Sequence, residues 1–322
     1  MSVLVVRPSS LGDIVYALAL VCDIARHRPG MPVDWVAERA FVPLIAMDAR
    51  VRRIVPIALR GLRRAPWSPA QWRAAHASLR ALRVERYDIV LHLQEQLKGA
   101  LLARLAHGVR HGPDRASSRE PITTLFDDVH HAVPPQLHFV HRVRLLAAQA
   151  LGYELDTPPR WSLHPPDAPD AIPQRRYAVA LTATSRADKR WPEAHWRILI
   201  GRLAQAGLAV VLPWGSPAEE AVSRRLAADA PTAIVPAWLS MPQAAALLAR
   251  AELAVGVDTG FTHLAAVLGT PTVAIFTATD VARHGVAVTG AHARDAGDVG
   301  RVPDVDEVML AAADVWKAAP RC

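Results

Sequence analysis

Ala254-Val-Gly-Val-Asp-Thr-Gly-Phe-Thr-His-Leu-Ala-Ala-Val-Leu-Gly-Thr-Pro-Thr-Val-Ala-Ile-Phe276 decides how this chain folds. It reads as a buried strand ending at Asp258, a tight turn, a helix from about Thr259 to Leu268 and a second buried strand. Gly269 stops the helix and Pro271 prevents its restart. Two apolar strands joined by one short helix make a βαβ unit, hence a parallel sheet. Asp258, Thr259, Gly260 and Thr262 then sit where a strand's carboxyl end meets a helix N-terminus, with unpaired N–H groups and the positive end of a dipole. Such a turn suits a phosphate or a polyhydroxylated ligand. The same residues also serve as a plain helix cap, so the stretch alone leaves both readings open.

The rest of the chain repeats this pattern. Ser2–Val6 reads as a strand, Arg7-Pro-Ser-Ser-Leu-Gly-Asp13 as its loop and Ile14–His27 as a helix with Ile14, Ala17, Leu18, Val21 and Ile24 on one face. Strand and helix alternate with short turns up to a helix at Phe139–Leu151. Pro158 to Pro173 then holds six prolines in sixteen residues, an extended linker. Alternation resumes at Tyr177–Leu181 and runs to Val273–Phe276, and Asp304–Ala319 is an amphipathic helix with Val305, Val308, Met309, Ala312 and Val315 on its apolar face. The expected fold is α/β: two Rossmann-like domains, residues 1–160 and 174–303, joined by the linker 158–173 and facing each other across a cleft. Helix 304–322 is expected to pack back on the first domain.

Composition bounds the function. At 322 residues, with 51% hydrophobic and 21% charged residues, the chain has the profile of a globular protein of about two domains. No apolar run approaches the roughly 18–20 residues of a membrane span. Met1–Arg7 is too short for a signal-peptide core, which places the protein in the cytoplasm. Cys22 and Cys322 suggest neither a disulfide framework nor a zinc site. The net charge of +7 invites a polyanionic partner, and it is uneven: residues 60–115 hold eleven Lys/Arg against four Asp/Glu.

No Gly-x-Gly-x-x-Gly, Walker loop or serine elbow is present. The histidine pairs His107/His111, His130/His131 and His138/His141 lack acidic or cysteine neighbours at metal-ligand spacing and read as capping or surface residues. Asp304-Val-Asp-Glu307 resembles a divalent-ion pair but opens a helix, where acids are favoured anyway. A better constellation lies at strand ends of the second half. Thr184 and Ser185 supply hydroxyls and Lys189 a mobile cation, which suits a diphosphate. Glu219 is placed to bind ribose hydroxyls or to be an ordinary first-turn acid. The loops at 184–189, 214–219 and 258–263 would open on one edge of one parallel sheet. In the first half, Asp13 is the carboxylate of the first strand–helix loop, placed to accept a proton from a substrate hydroxyl or to cap its helix.

Taken together, Arg7-Pro-Ser-Ser-Leu-Gly-Asp13, Arg60-Gly-Leu-Arg-Arg64, Ser118-Arg-Glu-Pro121, Thr184-Ser-Arg-Ala-Asp-Lys189, Leu212-Pro-Trp-Gly215 and Asp258-Thr-Gly-Phe-Thr-His263 resemble glycosyltransferase family 9, the lipopolysaccharide heptosyltransferases, over essentially the whole chain. The resemblance implies the GT-B architecture and inverting transfer of L-glycero-D-manno-heptose from ADP-heptose to the first Kdo of Kdo2-lipid A. It implies Asp13 as general base, and donor contacts from Thr184, Ser185, Lys189, Glu219, Asp258, Thr259, Gly260 and His263. Acceptor contacts fall on Ser10, Gly12, Arg60, Arg63, Arg64 and Arg119. It implies no metal or other cofactor, no nucleic-acid partner, and cytoplasmic work at the anionic inner face of the inner membrane. One departure stands out: members of the family usually have Gln-Gly-Leu-x-Lys-Ser where this chain has Gln94-Glu-Gln-Leu-Lys-Gly99. The competing readings are a sugar-nucleotide epimerase of the same architecture, a later heptosyltransferase, and a non-enzymatic basic module that binds anionic surfaces.

Overall fold

The computed structural model describes residues 1–58 and 67–318. They form two units, Met1–Ser162 and Leu163 onward. Each is built on a six-stranded, all-parallel sheet.

In the first unit the strands are β1 (Val3–Val6), β2 (Val33–Glu38), β3 (Val51–Ile57), β4 (Arg86–His92), β5 (His107–Pro113) and β6 (Val129–His131), in the spatial order β3-β2-β1-β4-β5-β6. All four residues of β1 are buried, as expected of a central parallel strand covered on both faces. Helices α1 (Leu11–Ala17) and α2 (Ala19–His27) replace the single expected helix, with a break at Leu18. Farther along come α3 (Val42–Ile45), α4 (Pro69–Arg83), α5 (Leu97–Leu105) and α6 (Phe139–Leu151). Between α2 and α6 lies a buried ion pair. Arg144 donates to both oxygens of Asp23 at 2.7 and 2.9 Å and to the Thr157 carbonyl at 2.8 Å. The start of the proline-rich stretch is docked here too, because Trp161 Nε1 donates to the Val15 carbonyl. The boundary between units therefore falls after Ser162, and the chain before it belongs to the first core.

The second unit repeats the plan with β7 (Tyr177–Leu181), β8 (Ala209–Val211), β9 (Ala233–Ile234), β10 (Leu253–Val257), β11 (Thr272–Phe276) and β12 (Ala293–Gly297), in the order β12-β11-β10-β7-β8-β9. Its helices are α7 (Glu193–Gln205), α8 (Pro217–Ala227), α9 (Met241–Ala249), α10 (Gly260–Val267), α11 (Val281–His284) and α12 (Val305–Ala318). The opening stretch is read correctly: α10 follows β10 with Thr259 as N-cap, and Gly269 beyond its end has φ +83°, the left-handed backbone that ends helices. Strand β12 goes unseen in the sequence, because Ala293-Arg-Asp-Ala-Gly297 has no apolar alternation.

One expectation is corrected. Helix α12 was placed on the first domain, but Val305, Val308, Ala312 and Val315 join the second unit's core with Trp196, Leu199 and Val273. Trp191 in the same core donates to the carbonyl of Pro303 and ties down the chain entering α12. An amphipathic pattern fixes that a helix buries one face, and says nothing of which core receives it. Among the described residues no helix is long and apolar enough to cross a membrane.

Both sheets reverse direction of build between two central strands, β1/β4 and β7/β10, and open α/β folds bind ligands at such switch points. At the second of these, Gly256 allows a close approach. A Cβ there would lie 2.2 Å from Thr262 Oγ1 and 2.8 Å from Leu181 Cβ on the neighbouring strand. Gly256→Ala should therefore destabilise the protein by about 1–3 kcal/mol through overpacking. Gly201 inside α7 has open space around it, and Gly201→Ala should add about 0.5–1 kcal/mol by propensity. Urea denaturation of the two variants checks both signs.

Candidate functional site

The switch point of the second sheet carries an ion cluster centred on Asp258, the first residue after β10. Its Oδ2 accepts from Lys189 Nζ at 2.6 Å and from Thr279 Oγ1 at 2.6 Å. Its Oδ1 faces His263 Nε2 at 3.2 Å, and its backbone carbonyl accepts from Thr184 Oγ1 at 3.3 Å. Three side chains thus converge on one buried carboxylate, and a fourth bonds the backbone of the same residue. Burial alone pushes the carboxyl's pKa up. His263, Lys189 and Thr279 outweigh it and hold the group well below the usual carboxylate range.

Local sequence explains the placement. Asp258 follows a fully buried strand, so its side chain emerges at the sheet's carboxyl edge. Thr262 Oγ1 donates back to the Val257 carbonyl at 2.7 Å and closes the turn. The first N–H groups of α10 have no intrahelical partner, so the turn presents donors and a positive dipole end beside the Lys189 ammonium. Thr259 and Gly260 open that helix, and Ser185 lies exposed on the loop after β7. In the first turn of α8, Glu219 Oε2 accepts from the Gly215 N–H of the loop after β8 at 2.8 Å, while the Ser216 hydroxyl caps the helix. Of the donor residues expected from sequence on the 184–189 and 258–263 loops, Thr184, Lys189 and His263 are drawn together through Asp258. Glu219 is engaged at the start of its own helix and, among the described residues, bonds none of the others.

In the first unit the switch point carries Asp13. It is the third residue of α1, and the helix is closed by a capping box: Asp13 Oδ2 accepts from the Ser10 N–H at 3.0 Å and hydroxyl at 2.9 Å. Arg7 Nη2 lies 2.6 Å from the same oxygen. Arg7 itself is buried, donates to the Leu93 carbonyl and sits with its guanidinium carbon 4.8 Å from the centre of the Phe139 ring. Burial pushes the Asp13 pKa up, yet Arg7 and Ser10 together bring it below the ordinary value, so the group is a carboxylate at neutral pH. The capping reading of Asp13 holds, and the carboxylate also stays ionised at the sheet's edge. Ser10 spends its hydroxyl on Asp13, and Gly12 lies in the first turn beside it.

The remaining expected positions divide. Arg60, Arg63 and Arg64 lie outside the described residues. Arg119 is exposed on a loop that the structure pins in place. Glu95, at the family's glycine position, holds that loop: its carboxylate pairs with Arg142 Nη2 at 2.7 Å and accepts from the Arg119 N–H at 3.2 Å. Arg142 donates in turn to the Ser117 carbonyl at 2.8 Å. The departure from the family pattern thus anchors the segment before Pro121. Gly99 lies against Gln94, where a Cβ would clash with the Gln94 side chain and carbonyl.

Several alternatives find other uses. Asp304 accepts from the Glu307 N–H, Asp306 pairs with Arg202 and Glu307 with Arg301. His111 stacks on His131, and His138 caps α6. Among the described residues no three His, Cys, Asp or Glu side chains come together as metal ligands do. Sequence reasoning missed Arg7, which lies in the quoted motif but received no role, and Thr279, whose signal was its place just past the carboxyl end of β11.

A profile of glycosyltransferase family 9 (heptosyltransferase) matches residues 75–299. The chain belongs to glycosyltransferase family 9. Lipopolysaccharide heptosyltransferase 1 of Escherichia coli K12 is 40% identical over 290 residues, covering 87% of this chain and 89% of the relative. The solved structure of E. coli heptosyltransferase WaaC with ADP superposes with a TM-score of 0.86 at 36% identity, over 99% of this chain and 98% of that one. The same enzyme with ADP-2-deoxy-2-fluoro heptose gives a TM-score of 0.82 at 36% identity, again over 99% and 98%. This family-9 chain is accordingly a glycosyltransferase of the heptosyltransferase type, with the two-sheet fold expected.

The ion cluster makes a prediction of its own. Asp258 has a depressed folded pKa, so its stabilisation is fully present above the unfolded value near 4 and is lost as pH falls towards the folded value. Asp258→Asn should cost about 1–3 kcal/mol at pH 7, since it leaves Lys189 without its counter-ion. The gap between variant and wild type should narrow below about pH 4. Urea denaturation at pH 7 and pH 3 measures both, and a gap that widened in acid would contradict the assignment.

Proposed function

We propose that this enzyme transfers L-glycero-D-manno-heptose from ADP-heptose to the first Kdo of Kdo2-lipid A, with inversion at the anomeric carbon. The observation that carries the reading is the Asp258–Lys189 cluster at the switch point of the second sheet. It is joined by the chain's 36% identity to a structure holding an ADP-heptose analogue.

An inverting transfer is one displacement, with base, acceptor hydroxyl, anomeric carbon and leaving phosphate roughly in line. Asp13 is the base. Arg7 and Ser10 engage its Oδ2, so Oδ1 is the oxygen left to take the hydroxyl's proton as the new bond forms. Its basicity is modest because Arg7 lowers its pKa, and proton transfer follows bond formation, when the attacking oxygen has become acidic. On the donor side the β-phosphate gains negative charge as the bond breaks. Lys189 and the N–H groups opening α10 stabilise it, which requires no metal. Thr184 and Ser185 bind the diphosphate, Glu219 the nucleoside, and Asp258 with Thr259, Gly260 and His263 the heptose hydroxyls.

The acceptor brings carboxylates and phosphates. Arg60, Arg63, Arg64 and Arg119, with Ser10 and Gly12, receive it on the first unit. Each basic residue near an anionic leaflet contributes about 1 kcal/mol of attraction, which supports work at the cytoplasmic face of the inner membrane.

The base assignment is tested by Asp13→Asn, which keeps the carboxylate's shape, beside Asp13→Ala. Both should lower kcat by about 10²–10⁴-fold, while ADP-heptose still raises the melting temperature of each. An Asn variant retaining more than about a tenth of wild-type kcat would assign Asp13 to helix capping alone.

A further inference from the structure

We propose that the amino-terminal edge of the first sheet carries a second anion site, for a phosphate mono- or diester, framed by Arg83, Arg86, Arg104 and His107. These side chains line a pocket of about 350 Å³ together with Arg110, Tyr87 and the backbone around Gly108. The volume lies at the lower end for small-molecule sites, a size that suits a phosphate-bearing head group. No carboxylate lines it.

Position separates this pocket from the transfer chemistry. Arg86 and His107 are the first residues of β4 and β5 and are paired in the sheet. The residues after His92 belong to the opposite, carboxyl edge. At about 3.3 Å per residue, the seven-residue strand β4 sets the two edges roughly 20 Å apart.

The charge and pairing of these side chains point to an anion as the ligand. Arg110 is satisfied, since it pairs with Asp128 and donates to the Phe126 carbonyl. Among the described residues Arg83 makes a single long bond, 3.4 Å to the Leu105 carbonyl. Arg86 and Arg104 have no hydrogen bond or ion pair among the described residues, although Asp128 feels the Arg104 charge. The nearby Glu85 is held by Arg52 and Arg53 on the other side. Arg83 and Arg104 close α4 and α5, where cations complement the helix dipole. That accounts for two of the three and leaves Arg86, on a strand, unexplained. Guanidiniums gathered without a carboxylate repel one another, and an oxyanion that accepts from several of them removes the repulsion and gains charge-assisted bonds.

Two sources carry this chemistry: a phospholipid head group and a soluble phosphate. The exposed face of α4 beside the pocket adds Trp72, Arg73, His76 and Arg80, and the helix contains no acid. The test uses the full-length enzyme and Arg86→Gln/Arg104→Gln, two exposed positions. A control, Arg160→Gln/Arg175→Gln, removes the same charge elsewhere. Binding of inorganic pyrophosphate is followed by calorimetry, and co-sedimentation is measured with phosphatidylglycerol-containing and pure phosphatidylcholine vesicles at about 0.1 M salt. The pocket pair should weaken at least one of the two anion interactions fivefold or more, with the control pair near wild type. Loss confined to phosphatidylglycerol vesicles assigns a lipid head group, and loss of pyrophosphate binding assigns a soluble phosphate. Wild-type behaviour of the pocket pair in both assays, or an equal loss in the control pair, overturns the site. These readouts involve no heptose transfer, so their failure leaves the proposed reaction standing.

Discussion

In the second unit the polar cluster is placed by the parallel pairing of β10 with β7, and that pairing depends on the absence of a side chain at residue 256. Gly256 lets β10 approach Leu181 and leaves room for the Thr262 hydroxyl to bond the Val257 carbonyl. Asp258 then emerges between the loops after β7 and β11, within reach of Lys189 and Thr279. A methyl group at residue 256 would meet the Thr262 hydroxyl that closes this turn and the Leu181 side chain on the neighbouring strand.

The two units solve different electrostatic problems with the same sheet. Each puts an aspartate at the junction between a central strand and the first turn of the helix that follows, and gives it a cation, Arg7 for Asp13 and Lys189 for Asp258. The difference lies in what remains unengaged. Both oxygens of Asp258 are engaged, and its side chain is 9% exposed. Asp13 receives its partners on one oxygen, and its side chain is 28% exposed. A fully engaged carboxylate suits holding a lysine or a sugar hydroxyl. One with an oxygen to spare suits proton transfer.

Much of this was legible in the sequence, for physical reasons. Continuous apolar runs such as Val3–Val6 and Leu253–Val257 mark central parallel strands, and Gly269 with Pro271 marks a helix end, because these signals are local. What escaped was non-local. Strand β12 forms because β11 offers it an edge, and its own residues show no strand pattern. The destination of α12 depended on which core had an uncovered face. Glu95 looked like the loss of a glycine and is instead one end of a clasp whose other end, Arg142, lies far along the chain. Thr279 reaches Asp258 only because β10 and β11 lie side by side.

The proposed reaction gives both aspartates a role, and product analysis tests it most directly. Purified enzyme is incubated with ADP-heptose, with and without Kdo2-lipid A, and products are read by mass spectrometry. The account predicts Kdo2-lipid A heavier by one heptose, ADP released in equal amount, and no change to the donor when the acceptor is withheld. Unmodified Kdo2-lipid A together with an epimerised or unaltered donor would contradict it.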